Sequence, residues 1–343
     1  MSVMKYPLAE QVKSAVEAAQ KIVVLQADNP DADSLGSALA LEHILGDLGK
    51  DVYLYCGVEI PTYLRYFSGW DRVLNEPPST YDLAIIVDAS TYTLFDQLEK
   101  SGKLPVLKSK PCIIFDHHVT VEKPIDFANM SIIDPNVASA GELIFHIATG
   151  LGWKINSEAA EHLMSSILGD TQGLSNELTQ ASTYRVMADL TDLGANRPKL
   201  EELRREYSKM AQVIYAYKGA LLARTEFVAN GQIAIVAIPQ TEINEYSPLY
   251  NPGPLVQSDM LQVQGVKLSI VLKNYDDGHA TAALRANTGS PIAGKLAEHM
   301  GGGGHAYASG FKVSDGRSFA DIKTETVKFA TKLIDELAEN KKV

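Results

Sequence analysis

The residues best suited to chemistry in this 343-residue chain are acidic and imidazole side chains that follow apolar, strand-like runs or a helix-like run. These residues are Asp31, Asp33, Asp88, Asp116, His117, His118 and Asp170. Carboxylates crowd together at a high energetic cost unless a cation neutralises them. Carboxylates mixed with imidazole suit Mn²⁺, Mg²⁺, Fe²⁺ or Zn²⁺ better than Ca²⁺. The pattern therefore predicts a divalent-metal site, provided that the fold gathers these residues.

Each of these residues and motifs also has a purely structural interpretation. An Asp-x-Asp run after a strand, such as Asp31 and Asp33, more often caps a helix than binds a metal. Asp88 and Asp170 could likewise be capping residues, and two adjacent histidines could share a polar turn. Taken together, the four sites favour the metal-binding interpretation.

The elements that must position these side chains alternate in the first half of the chain. The apolar, β-prone runs are Lys21–Gln26, Val52–Tyr55, Leu83–Asp88 and Cys112–Asp116. Such continuous runs indicate a parallel sheet covered by helices, and Ser34–Leu48 has helical spacing with Gly49 as its stop. We therefore predict a doubly wound α/β domain. Its strands would present the acidic turns at their carboxyl ends, where open parallel sheets bind ligands.

A second, smaller α/β domain is predicted after a charge-rich helix at Asn196–Lys209. Its strands are expected at Gln232–Ile238, Lys267–Leu272 and Ala280–Arg285, and its helices from Pro291 and over Phe319–Glu339. The proline-rich stretch Glu242–Gln257 is predicted to be a loop. The expected boundaries are 1–193 for the first domain, 194–215 for the linker helix and 216–343 for the second domain.

A glycine-rich run in the second domain is the remaining candidate site. The run is Gly301, Gly302, Gly303 and Gly304, followed by His305. Glycines let backbone N–H groups approach an anion, although most glycine-rich turns are conformational devices. The adjoining His305 and the strand residue Arg285, whose guanidinium offers a fork for phosphate, favour phosphate binding. Ser309 could add a hydroxyl contact or only pack.

Composition and charge exclude several classes of protein. With 31 Lys and Arg against 42 Asp and Glu, the net charge of -11 argues against non-specific binding of long duplex nucleic acid. No apolar run reaches the roughly 18–20 residues that cross a bilayer. The first twenty residues resemble an amphipathic helix and not a signal peptide. The only cysteines, Cys56 and Cys112, adjoin apolar runs, which favours reduced thiols and a cytoplasmic location.

The ordered motifs NPDADSLGS, VDAS, FDHH, GDTQGL and GGGGHAYASG resemble those of the DHH phosphoesterase superfamily. The resemblance is to the branch with a DHH-associated C-terminal domain, which includes nano-RNases, oligoribonuclease/pAp phosphatases and cyclic-di-AMP phosphodiesterases. It implies an active site in the cleft between the two domains. It further implies that Gly302, Gly303, Gly304, His305, Arg285 and Ser309 bind the distal part of the substrate.

The same resemblance implies roles in a two-metal centre. Asp31 would bind the first metal, Asp33 the second, and Asp88 would bridge them. His117 and Asp170 would complete the second site, Asp116 would orient its neighbouring histidine, and His118 would face the scissile phosphate. Two such ions would activate water and stabilise the attacking and leaving oxygens. Mn²⁺ is the expected ion, with Mg²⁺, Co²⁺ or Zn²⁺ as alternatives.

One position departs from the family pattern, because the usual histidine of H-x-N-P-D is Ala27 here. Asp28, Gln26 or a water could replace the lost imidazole, or the first metal site could be weak.

The expected function is hydrolysis of short oligonucleotides or linear or cyclic dinucleotides, such as pApA or cyclic di-AMP, to mononucleotides. A pAp phosphatase and a nucleotide-binding regulator with weakened catalysis are the alternatives. The expected partners are a small nucleotide substrate and, at most, a second copy of the chain, with no long duplex and no membrane.

Overall fold

The structure is a computed structural model that describes residues 6–118, 123–247, 251–304 and 306–340. The chain divides into two compact units, Met1–Lys209 and Met210–Val343. Each unit builds a sheet with apolar clusters on both faces. Among the described residues, none of the helices combines the length and the apolar character needed to cross a bilayer.

The first unit alternates strands and helices. Its strands are β1 (Lys21–Gln26), β2 (Asp51–Cys56), β3 (Val73–Leu74), β4 (Leu83–Val87), β5 (Cys112–Asp116) and β6 (Met130–Ile133). Its helices are α1 (Ala9–Ala18), α2 (Ala32–Asp47), α3 (Asp96–Lys100), α4 (Leu104–Lys108), α5 (Ala140–Leu151), α6 (Ser157–Asp170), α7 (Ala181–Asp192) and α8 (Arg197–Tyr207).

The strands of the first unit pair in parallel, in the order β3-β2-β1-β4-β5-β6. This is a doubly wound order, and its direction of growth reverses between β1 and β4. Every residue of β4 and β5 is buried because helices cover both faces of the sheet. One face packs on α2, α5 and α6, and the other packs on α3 and α4. The predicted fold class is therefore confirmed, and its switch point lies beside β1, β4 and β5.

The second unit contains a mixed sheet. Its strands are β7 (Glu226–Val228), β8 (Ile233–Pro239), β9 (Leu268–Asn274), β10 (Ala280–Ala286), β11 (Gly303–Gly304) and β12 (Ala308–Val313). Its helices are α9 (Gln212–Ala223), α10 (Gln240–Tyr246), α11 (Pro252–Leu261), α12 (Ala293–His299) and α13 (Phe319–Asn340). The order is β11-β12-β10-β9-β8-β7, and only β8 and β9 pair in parallel within the described residues.

Two sequence-based expectations about local structure are wrong. The stretch Glu242–Gln257 is not a loop, because α10 and α11 occupy most of it on either side of residues 248–250, which lie outside the described residues. Pro252 opens α11, where its missing N–H costs nothing, and Asn251 caps the helix through Gly253 N. The third predicted strand also ends one residue early, at Val87, because Asp88 turns the chain.

Helix α8 belongs to the first compact unit, where it packs against α6 and the short 3₁₀ turn Thr62–Leu64. Leu200, its one buried residue, joins the large apolar cluster of that unit. The observed division therefore falls after Lys209, inside the stretch 194–215 that was expected to link the domains.

Candidate metal centre

Three neighbouring strands deliver acidic and imidazole side chains to one edge of the first sheet. β1, β4 and β5 are adjacent and parallel, so their carboxyl ends lie side by side. Asp33 begins the helix after β1, Asp88 follows β4, and Asp116 ends β5. The two histidines come directly after Asp116. This edge is the switch point of the sheet, where a doubly wound fold places its ligands.

Asp33 is fully buried and its carboxylate is held by two helices besides its own. Its Oδ2 accepts the Ala140 N–H at 2.8 Å and its Oδ1 accepts the Gly141 N–H at 3.2 Å, both from the first turn of α5. Ser166 Oγ of α6 donates to Oδ1 at 2.5 Å, and Ser37 Oγ donates at 3.1 Å. The N-terminus of a helix favours a negative charge, so α5 stabilises the ionised carboxylate in place.

Asp88 turns the chain out of the sheet in a left-handed conformation with φ of 55°. Asp tolerates this region better than most residues because its short side chain can bond locally. The Asp88 N–H donates to Phe115 O of the neighbouring strand at 2.9 Å, which fixes the turn. Burial and the charge of Asp33 raise the pKa of the Asp88 carboxyl well above its usual range.

Asp116 orients the histidine two residues after it. Its Oδ1 lies 2.7 Å from Nδ1 of His118 and accepts the His117 N–H at 2.8 Å. Burial alone would raise the pKa of Asp116, but the hydrogen bonds to His118 and Ser90 and the charge of His118 together outweigh burial and lower that pKa. The hydrogen bond to Asp116 raises the pKa of His118, whose side chain is 56% exposed. Asp116 thereby fixes the orientation of the His118 ring, which reaches solvent.

His117 lies at the centre of the cluster. Its Nε2 is 3.0 Å from Asp170 Oδ2, 3.5 Å from Asp33 Oδ2 and 3.6 Å from Asp88 Oδ1. Burial would lower the pKa of His117, but the surrounding carboxylates raise it to about 11. Burial and the charge of Asp33 raise the pKa of Asp170 to about 6. Asp170 is the last residue of α6, and the C-terminal end of a helix favours a cation.

These residues fit a divalent cation. The ligand atoms of Asp33, His117 and Asp170 lie within 4.8 Å of one another, and so do those of Asp88, His117 and His118. Asp88 Oδ1 and His117 Nε2 are buried, and neither has a partner in hydrogen-bond geometry among the described residues. Buried polar atoms of this kind are normally satisfied, and a cation would satisfy both. One group consists of the three residues predicted for the second metal site, and the other contains Asp88, the predicted bridging carboxylate, together with His117 and His118. Their roles as metal ligands stay predictions.

The predicted first metal site is not assembled in the same way. Within the described residues, Asp31 belongs to neither ligand group. Its carboxylate caps α2 by accepting the Ser34 N–H at 2.9 Å, and Ser34 Oγ accepts the Asp31 N–H in return. Burial and the charge of Asp33 raise the pKa of Asp31. The carboxyl groups of Asp31 and Asp33 are therefore close enough to interact, although Asp31 belongs to neither ligand group.

The proposed substitutes for the missing histidine do not join the cluster either. Ala27 is buried in the apolar cluster that includes Tyr55 and Phe95. Asp28 Oδ2 accepts the Gln97 N–H at 2.8 Å, at the start of α3. Gln26 is fully buried, and both polar atoms of its amide lack a partner among the described residues. The imidazole of the family pattern is therefore replaced by hydrocarbon, and no other described side chain takes its place in the ligand groups.

The second-unit candidates do not form one cluster. Arg285 pairs with Ala308 and Leu284 pairs with Ser309 across β10 and β12, so Arg285 and Ser309 point to opposite faces of the sheet. Arg285 is exposed, and its Nη1 donates to Leu284 O at 3.0 Å. Ser309 is buried on the core side. His305 lies outside the described residues.

The glycine run has a packing role that its sequence alone does not reveal. Gly303 and Gly304 form β11 and pair with Gly310 and Ser309. A Cβ atom on Gly302 would lie 2.2 Å from Gly310 O, so only glycine fits this close approach. The predicted substrate-binding role of Gly302, Gly303 and Gly304 stays a prediction.

Sequence reasoning missed the hydroxyls that hold Asp33. Ser37 lies four residues after Asp33 on the same helix, a spacing that could have been noticed. Ser166 and the α5 amides are more than 100 residues away from Asp33 in sequence, and no local pattern identifies them.

The chain matches two family domains. Residues 21–167 match the DHH family, N-terminal domain, and residues 251–340 match the DHHA1 domain. The bifunctional oligoribonuclease and PAP phosphatase NrnA of Thermus thermophilus is 25% identical over 311 residues, which cover 89% of this chain and 87% of that protein. The cyclic-di-AMP phosphodiesterase GdpP of Geobacillus thermodenitrificans is 20% identical, with 90% of this chain and 47% of that protein covered.

A solved structure shares the fold over nearly the whole chain. An exopolyphosphatase-related protein from Bacteroides fragilis superposes with a TM-score of 0.84 at 21% sequence identity, covering 98% of this chain and 99% of that one. The two matched domains occur in the order that the motifs predict, and the first carries the clustered Asp and His side chains except Asp170, which lies three residues beyond the match. The chain therefore belongs to the DHH superfamily of metal-dependent phosphoesterases, in the branch with a C-terminal DHHA1 domain.

Proposed function

We propose that this phosphoesterase is a Mn²⁺-dependent phosphodiesterase that hydrolyses short oligonucleotides or linear or cyclic dinucleotides, such as pApA or cyclic di-AMP, to mononucleotides. The observation that carries the proposal is the convergence of Asp33, Asp88 and Asp170 on His117 at the switch point of the first sheet. Mixed carboxylate and imidazole donors suit Mn²⁺. The similarity to NrnA and GdpP supports a nucleotide substrate.

Asp33, His117 and Asp170 would hold the metal, with Asp88 beside them. When bound, the divalent ion supplies Lewis-acid activation of water and neutralises charge on the phosphate. The α5 amides and the Ser166 hydroxyl hold the Asp33 carboxylate in place, so the site needs little rearrangement to accept a cation.

His118 would stabilise the reacting phosphate. Asp116 accepts from Nδ1 of His118, which turns Nε2 of the ring away from Asp116. The hydrogen bond to Asp116 raises the pKa of His118 and so favours the protonated ring, whose Nε2–H would donate a hydrogen bond to a phosphate oxygen. A preorganised donor of this kind is most valuable where negative charge grows in the transition state.

The net charge of -11 supports a short substrate over a long strand. A small nucleotide needs positive charge only at the site, whereas a long strand would meet an acidic surface along its length.

Two observations keep alternative functions open to test. Similarity to a bifunctional oligoribonuclease and PAP phosphatase favours pAp as a second substrate. The apolar surroundings of Ala27 favour a weakened first metal site, which would suit a nucleotide-binding regulator.

The deciding experiment is a substrate panel. Protein stripped of metal and resupplied with Mn²⁺, Mg²⁺, Co²⁺ or Zn²⁺ is incubated with pApA, cyclic di-AMP, pAp and a longer RNA, and the products are separated by chromatography. We expect mononucleotides from at least one dinucleotide, with Mn²⁺ the best ion. Phosphate release from pAp alone would support the phosphatase, and tight binding without turnover with every ion would support the regulator.

A further inference from the structure

A cavity of about 640 Å³ lies beside the metal centre within the first unit. Its wall includes Ala32, which stands between Asp31 and Asp33, and Gly169, which directly precedes Asp170. Tyr63, also in the wall, lies with its hydroxyl 3.4 Å from Pro30 O. The volume falls within the range of about 300–1,000 Å³ that small-molecule sites occupy. The cavity is thus adjacent to the predicted metal ligands but is built mostly by other residues.

Three arginines give the cavity a positive wall in an acidic protein. Its charged lining residues are Arg197, Glu201, Arg204 and Arg205, all from α8. Glu201 accepts from Arg204 at 2.9 Å and from Arg205 at 2.8 Å, which leaves the group with a net charge of two positive units. The side chains of helix α8 therefore give the lining of the cavity a net positive charge.

The guanidinium of Arg197 has no partner among the described residues. Its side chain makes no hydrogen bond or ion pair with them, and the residue is only partly exposed. Its Nη2 lies 3.9 Å from where a Cβ of Gly173 would stand, so the guanidinium faces the turn that follows Asp170. A guanidinium held in place without a carboxylate partner is a ready site for a phosphate, which it binds through two parallel hydrogen bonds.

Aromatic and aliphatic side chains complete the wall. Tyr63 and Tyr66 line one part of the cavity, and Leu168 and Leu200 line another. The Tyr63 side chain is 54% exposed although it is large and apolar over most of its surface. Aromatic faces of this kind stack on nucleobases without requiring a particular base.

We propose that this cavity, the α8 cavity, binds a phosphate-bearing nucleotide unit of the substrate next to the metal centre. The inference rests on the proposed function for the identity of the substrate, but the cavity and its charge do not. Arg197 would hold the phosphate, Arg204 would add a nearby positive charge while it stays paired with Glu201, and a tyrosine face would carry the base. The site would then favour dinucleotides with a terminal phosphate, such as pApA, over the same dinucleotide without it.

The test uses the full-length, Mn²⁺-loaded protein with AMP as the probe. Isothermal titration calorimetry measures AMP and adenosine binding to the parent protein and to Arg197→Gln, Arg204→Gln and Lys199→Gln. Lys199 is the matched control, because it lies on the same helix, is exposed and does not line the cavity. We expect about tenfold weaker AMP binding for Arg197→Gln, the size of one lost charge-assisted hydrogen bond, a smaller loss for Arg204→Gln, which removes a nearby positive charge, and no change for Lys199→Gln.

A kinetic experiment tests whether the cavity contributes to substrate binding during turnover. We expect Arg197→Gln to lower kcat/KM for pApA about tenfold more than kcat/KM for ApA. Equal AMP affinities in the parent protein and both arginine variants would overturn the proposal, and so would equal affinities for AMP and adenosine in the parent protein. If the parent protein hydrolyses no dinucleotide, the proposed function fails, while the arginine dependence of AMP binding still decides whether the cavity is a nucleotide site.

Discussion

Nε2 of His117 lies 3.0 Å from Oδ2 of Asp170, and this contact joins the turn after β5 to the last residue of α6. Neither residue is near the other in sequence, and each is fixed by a different kind of element, a buried strand and a helix terminus. The cluster therefore depends on the packing of α6 against α2 and α5 as much as on the motifs themselves. The predictions below test that dependence one group at a time.

Replacing the carboxylate of Asp88, which lies beside His117, should remove activity without unfolding the protein. We expect Asp88→Asn to lower kcat/KM by more than about 100-fold, because a group next to the metal loses its charge. Asn tolerates the left-handed backbone of this position, and removing a buried acid whose pKa is raised should leave the metal-free protein as stable as before. Asp51→Asn, at an exposed strand start, is the control. Chromatographic assays and thermal melts give both readouts, and full activity in Asp88→Asn contradicts the site.

Metal affinity should rise with pH. The pKa of His117 is raised to about 11 in the metal-free protein, so its imidazole is protonated at neutral pH. A metal needs the neutral ring, so binding displaces one proton and the association constant should grow about tenfold per pH unit. Titration with Mn²⁺ at pH 6.5, 7.5 and 8.5 measures the slope. A dissociation constant that stays the same at all three pH values would count against ligation by His117.

The hydroxyl that supports Asp33 should matter for metal binding and not only for folding. Ser166→Ala removes the 2.5 Å hydrogen bond to Asp33 Oδ1 and leaves that carboxylate freer to move. We expect the metal dissociation constant to rise about 10- to 100-fold. Ser14→Ala, which loses only a bond to Glu10 O on the exposed side of α1, should bind metal as the parent does. Unchanged affinity in Ser166→Ala would show that Asp33 needs no such support.

Acid should destabilise the first unit partly through His162. This buried ring lies between His43 and Phe67, and burial lowers its pKa to about 3. The unfolded chain takes up a proton on this histidine near pH 6.5. The contribution of the neutral ring to the free energy of unfolding is therefore fully present above pH 6.5 and is lost as the pH falls toward 3. Over that range the free energy of unfolding falls by up to about 1.4 kcal/mol per pH unit.

We therefore expect His162→Phe to flatten the fall in unfolding free energy between pH 6.5 and pH 4.5. Urea unfolding of both proteins at several pH values measures this difference. Comparing the two proteins cancels the effect of Asp88 and Asp170, whose raised pKa values act in the opposite direction. Parallel curves for the two proteins would place the acid sensitivity elsewhere.

Local sequence signals predicted the elements that present the site. The runs at β1, β4 and β5 are apolar and β-branched, so burial on both faces could be inferred, and the residues that end them were natural candidates. β6 and β3 were missed because four and two residues carry too little periodicity. The prolines near α11 suggested a loop because several prolines in one stretch usually mark turns, although a proline at the first helical position, such as Pro252, is compatible with a helix.

The contacts that hold the site residues in place could not be predicted from the sequence. Ser166 and the amides of Ala140 and Gly141 hold Asp33 only because α5 and α6 pack against α2. Those contacts depend on tertiary structure, and a single sequence contains no pattern that ties these positions together. The α8 cavity could not be predicted either, because the alternating charges of α8 are equally typical of a solvated surface helix.

Ala27 is buried in an apolar cluster that also contains Tyr55, Ala89 and Phe95. A histidine at position 27 would bring a polar ring into this cluster, where a nitrogen without a metal or a hydrogen-bond partner would destabilise the fold. The same substitution that restores the family pattern would therefore be tolerated best in the presence of the metal.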